Sequence, residues 1–233
     1  MASLSKIDAP PAAEHWARMQ HPDVQKTARK LFAFLRGTVT WNYNITRQVA
    51  KFYVEDRIAR QVAVKIVSEK SSPLGRRHNL EAIHAFYDLV ERSPIVGIHA
   101  FAGLVDWMPI GPKAFIPIKP MAVTKGPDNF VLHWLNAWSS NPFDQYQASL
   151  YMTILERSIF RLTDFENSPG RIIFLPKSKV GAGEWQRSPV VWNRGQFPLL
   201  SEKELNDQIR VFAESKEVAR IWFRDYLDRK GPH

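Results

Sequence analysis

The spacing of apolar residues changes character near Pro94, and that change limits the fold more than any other feature. Before it, apolar residues recur every three or four positions, as in helices buried on one side. After it come prolines, glycines and short apolar runs of strand type, and helical spacing returns in only two stretches. Helices first and a mixture afterwards is the pattern of an α+β chain. With 45% hydrophobic and 12% aromatic residues, it has ample material for a packed core.

Residues 1–20 contain Asp8-Ala9-Pro10-Pro11-Ala12-Ala13 and read as a flexible, extended lead-in. Residues 21–233 read as one α+β domain, helical over 21–94 and mixed over 95–233. The first helix opens at His21-Pro22-Asp23, carries Val24, Ala28, Leu31 and Leu35, and stops at Gly37. The second is expected over Asn44 to Glu69, with Asp56 on its apolar stripe paired to Arg60 one turn on. The third carries Leu80, Ile83, Phe86 and Val90 and ends near Arg92-Ser93-Pro94.

Phe115 to Val123 and Asn129 to Ala137 read as a hairpin closed by Thr124 to Asp128. Pro117 and Pro120 put its first strand at an edge or bulge. Asn141-Pro142 should cap a central buried helix that runs to about Arg161. Arg171 to Pro176 and Ser188 to Arg194 are further strands, on either side of a turn at Gly181-Ala182-Gly183. Ser201-Glu202-Lys203-Glu204 is a capping box that starts a long amphipathic helix. The expected architecture is a helical N-terminal layer packed on a small, mostly antiparallel sheet, with a central buried helix and a long C-terminal helix.

The net charge of +9 favours polyanionic partners. Residues 1–95 hold fifteen Lys and Arg against nine Asp and Glu, so the surplus is largest in the helical part. Lys26, Arg29 and Lys30 line the outward face of the first helix. Arg76 and Arg77 lie at or just before the start of the third, where cations oppose the helix dipole and do not serve local stability. These five are the candidate phosphate contacts for DNA or RNA. Trp134, Trp138 and Trp192 are the candidate aromatic patch for a protein partner.

Other chemistries lack their residues. With no cysteine there is no disulfide, thiolate nucleophile or iron–sulfur site. GxxxxGK[ST], GxGxxG and GxSxG are all absent. His78 and His84 are six residues apart, about 600° of helical rotation, so their rings do not share a face. No cofactor or metal is expected. No run of eighteen apolar residues occurs and the first residues have no apolar leader, so a cytoplasmic chain without a membrane span is expected.

The order helix, strand, strand, strand, helix, strand, read over about 78–176, is similar to the core of restriction-endonuclease-like nucleases. That resemblance implies an aspartate on one strand and an acid-x-lysine on the next, holding a divalent metal. The second hairpin strand, Phe130-Val131-Leu132-His133-Trp134-Leu135-Asn136, has no such triplet. The chain's acid-x-lysine triplets, Glu214-Ser215-Lys216 and Asp228-Arg229-Lys230, fall on the last helix. A core of this kind would be inactive unless rearranged ligands such as Asp56, Asp106 or Glu156 replaced the motif. The leading expectation is therefore a non-catalytic nucleic-acid-associated protein. A protein-interaction subunit and a nuclease-like protein are the alternatives.

Overall fold

The computed structural model describes Asp8 and residues 10–37, 42–101, 103–111, 114–140, 143–181 and 183–230. The fold is α+β, with a helical layer on a small mixed sheet, a buried central helix and a long C-terminal helix. The helices are α1 (Ala13–Met19), α2 (Val24–Arg36), α3 (Asn44–Asp56), α4 (Arg60–Lys70), α5 (Pro73–Arg92), α6 (Gln145–Arg157) and α7 (Glu202–Lys230). The five-stranded sheet uses β1 (Ile98–His99), β4 (Ala122–Lys125), β5 (Phe130–Asn136), β6 (Gly170–Phe174) and β9 (Val190–Asn193), in that order. Two ribbons stand apart from it: β2 (Asp106–Gly111) with β3 (Ala114–Ile118), and β7 (Lys177–Val180) with β8 (Glu184–Arg187). Among the described residues no helix is long and apolar enough to cross a membrane.

Alternation along the inner strands builds two cores. Leu132, Trp134, Ile172, Phe174 and Trp192 face α1, α6 and α7, while Leu135, Ala137, Ile173 and Leu175 face α3, α4 and α5. β5 and β6 are parallel, and a parallel pair needs a crossover of a dozen or more residues. α6 supplies it, and its residues 147–155 are all buried. Over 78–176, where helix, three strands, helix, strand were expected, five strands lie between α5 and α6; without the separate β2–β3 ribbon, the elements of the main sheet follow as α5, β1, β4, β5, α6 and β6.

Several local expectations are corrected. The extended lead-in contains a helix, because Trp16 and Ala17 bury fully against the first core. α2 leaves the other N-terminal helices and packs on α7 through Thr27, Ala28, Leu31 and Leu35. The single helix over 44–69 is two. Arg57 adopts a left-handed conformation (φ 53°), and its guanidinium donates to Ile95 O and Gly97 O, both at 2.7 Å. No glycine or proline marks that break, so periodicity ran through it. Asp56 is therefore exposed, and Arg60 pairs instead with Asp88 (2.8 Å) and Glu91 (3.3 Å) on α5.

The expected strand over 115–123 divides at Lys119-Pro120. Its first half turns back onto β2, with Pro117 opposite Trp107, and its second half is β4, the true hairpin partner of β5. The cap expected at Asn141-Pro142 lies outside the described residues. Asp144 caps α6 by accepting from Gln147 N at 2.8 Å, and Gln147 answers with a reciprocal bond. Ser201 and Glu204 form the expected box at α7.

His133 is buried beside Thr124, with Nε2 3.1 Å from Thr124 Oγ1. Burial, reinforced by Arg171 and Arg57, pushes its pKa down to about 3. The folded chain keeps this ring neutral, whereas the unfolded chain protonates it below about 6.5. Stability should therefore be full above that pH and fall as pH drops from about 6.5 toward 3, by at most about 1.4 kcal/mol per pH unit from this group. Denaturation at neutral and acid pH, compared with His133→Gln, checks it: the variant should show the shallower loss.

Candidate polyanion interface

α1 lies between two surfaces. It turns Trp16 and Ala17 inward and leaves His15 and Arg18 along a trough on the other side. At one end of the trough, Arg18, Lys30 and Phe34 line a cleft of about 510 Å³. His15 also lines the next cleft, of about 210 Å³, with Asn42, Tyr43, Asn44, Arg47 and Trp138. Arg47 in turn lines a third, of about 330 Å³, with Glu14, Lys51, Lys119 and Asn136. His15 and Arg47 are thus shared walls that set the three clefts side by side.

Five cations line them: Arg18, Lys30, Arg47, Lys51 and Lys119. The one carboxylate among the lining residues is Glu14, which is mostly buried and accepts from Arg47 at 3.0 Å. Arg47 also donates to Asn136 Oδ1 at 3.1 Å. Lys51 pairs with Glu55 on the next turn of α3 at 3.2 Å. Lys30 donates to Arg18 O at 3.2 Å, and the Arg18 guanidinium sits 5.2 Å from the centre of the Trp138 ring. Burial lowers the pKa of Arg18. Burial also lowers that of Lys30; Arg18 adds to the effect and Asp144 opposes it. His15 is held below its usual pKa chiefly by burial; Glu14 opposes this, and Arg47 and Arg18 add to it.

The residues nominated from sequence divide. Lys30 lines the trough. Lys26 and Arg29 are exposed on the same helix but line none of the three clefts, and Lys26 Nζ lies 3.5 Å from His21 Nε2. Arg76 and Arg77 are exposed near the start of α5, also outside the clefts, and Arg77 pairs with Glu81 at 3.1 Å. Of the tryptophans, Trp138 is half-buried on the trough. Trp134 (3% exposed) packs on Phe160, and Trp192 (6%) sits between Phe174 and Phe197. Those two are core residues, which corrects the expected aromatic patch. Among the described residues the exposed tryptophans are Trp107 (55%) and Trp185 (61%), each on an outlying ribbon.

No family model, curated protein or solved structure matches this chain. The site therefore has to be read from its own residues. Arg47 and Lys51 stand four apart on α3, a spacing that could have marked them as one basic face. His15 and Arg18 were hidden by the lead-in reading, and Lys119 by the strand drawn through it. Of the alternative acidic ligands, Glu156 is gripped by both Nε and Nη2 of Arg194 at 2.7 Å, and Asp56 is exposed. Neither these two nor Asp106 lines the trough.

Proposed function

We propose that this chain is a non-enzymatic nucleic-acid-binding protein that seats backbone phosphates along the α1 trough. One observation carries the reading: five cations line three adjoining clefts, against a single carboxylate that is already paired. Phosphate contacts of this kind release counterions, so binding should weaken steeply with salt. Titrating labelled single-stranded and duplex oligonucleotides between about 50 and about 200 mM salt should give a log–log slope of roughly −3 for single strands, as expected for four or five contacts. Affinity no greater than that of a neutral protein, or independent of salt, would remove the proposal.

A second reading, an inactive relative of restriction-endonuclease-like nucleases, is supported by the sheet order and by the parallel β5–β6 pair across α6. It is compatible with the first. β4 and β5 carry no Asp or Glu, and the third cleft opens at the start of β4 and the end of β5, lined by Arg47, Lys51 and Lys119. Incubation of DNA with the protein and magnesium or manganese is expected to leave the DNA intact; cleavage would require ligands elsewhere.

A further inference from the structure

The trough's middle cleft differs from its neighbours. At about 210 Å³ it is the smallest of the three, and aromatic and amide groups dominate its walls: Trp138, Tyr43, His15, Asn42 and Asn44. Cations flank it, with Arg47 shared with the third cleft and Arg18 and Lys30 in the first. A strand of nucleic acid has the same alternation, a flat base between two phosphates. We infer that the middle cleft receives one unstacked nucleobase, which makes the protein a binder of single-stranded nucleic acid. This deepens the polyanion reading and rests on it.

The walls are preorganised. Trp138 is held by the edge of His15 (centroids 4.9 Å), by Phe143 (5.9 Å) and by the Arg18 guanidinium. Tyr43 is fixed through its hydroxyl, which lies 3.0 Å from Ser139 Oγ and accepts from Arg187 at 2.8 Å. Asn42 Oδ1 accepts from Asn44 N at 3.0 Å, which sets the cleft's polar edge. Arg18 and Arg187 each cover one face of Trp138 and Tyr43, so a base entering this space would stack on the opposite faces and meet amides at its polar rim. A duplex keeps its bases stacked inside and cannot present one here without unpairing it.

The test uses the full chain and three probes: a mixed-sequence single strand, an abasic strand of equal length and the matching duplex. The wild type should bind the ordinary strand about tenfold more tightly than the abasic one. Trp138→Leu should erase that ratio, and Trp138→Phe should keep most of it. Asn44→Trp, at an exposed position, fills the same cleft and should also erase the ratio, so the test survives if the leucine variant does not fold. Equal affinity of the wild type for ordinary and abasic strands overturns the base pocket and leaves the polyanion reading standing. A ratio that persists in Asn44→Trp also overturns the pocket. Absence of salt-dependent binding to any probe overturns both.

Discussion

Replacing Arg18, Lys30, Lys51 and Lys119 together with glutamine is expected to weaken single-strand binding about a hundredfold near physiological salt and to flatten the salt slope by about 0.7 per site. These four are chosen because Arg47 is tied to Glu14 and Asn136, and its loss would leave a buried carboxylate unpaired. The comparison is a variant with four surface cations removed elsewhere, at Lys65, Lys70, Arg157 and Lys203, all exposed. It has the same net charge but an intact trough. If overall charge drove association, the two variants would lose affinity equally. If the trough does, the second should stay within a fewfold of wild type. Circular dichroism and thermal melting of both variants verify that the fold is unchanged.

The second large effect concerns stability. Trp16→Ala is expected to cost about 3–5 kcal/mol, the usual range for emptying a large buried aromatic site. Trp16 is fully buried, and its ring stands edge-on to Phe212 of α7, with centroids 5.5 Å apart. The end of α1 is fastened by side chains from distant elements. Gln147 of α6 donates to Arg18 O (2.9 Å) and Gln20 O (2.8 Å), and Gln208 of α7 donates to Gln20 Oε1 (3.0 Å). Both glutamines are almost wholly buried, so deleting residues 1–20 would remove the acceptors of their side-chain N–H groups. Denaturant midpoints of wild type, Trp16→Ala and the deletion give the ordering: the deletion should be the least stable. A deletion as stable as wild type would mean that α1 is dispensable and that the trough has no fixed floor.

How far the sequence carried depends on where its punctuation lay. The shift at Pro94, the Ser201 box and the apolar faces of α2, α5 and α6 were all visible, because periodicity and capping chemistry are local. The break at Arg57 was not, since a left-handed arginine held by Ile95 O and Gly97 O is stabilised by residues about forty positions away. The same holds for α1. Two prolines and a run of small residues looked like an unstructured lead-in, and only contacts with distant elements such as α6 and Phe212 of α7 make Trp16 a core residue. The site followed the fold. The basic surplus could be counted from composition, but its concentration depended on a seven-residue helix, one face of α3 and a loop lysine meeting along one line. Lys30 was legible because it projects from a helix whose buried side was already known. Arg76 and Arg77 stood out in the sequence for their adjacency, which says nothing about concavity.

The most direct test of the trough is amine footprinting with and without a bound single strand. Acylation of lysines, read by mass spectrometry at saturating oligonucleotide, should be suppressed at Lys30, Lys51 and Lys119. It should be unchanged at Lys65 and Lys70 on α4 and at Lys203 on α7. Protection spread evenly over all six, or centred on α4, would contradict the account.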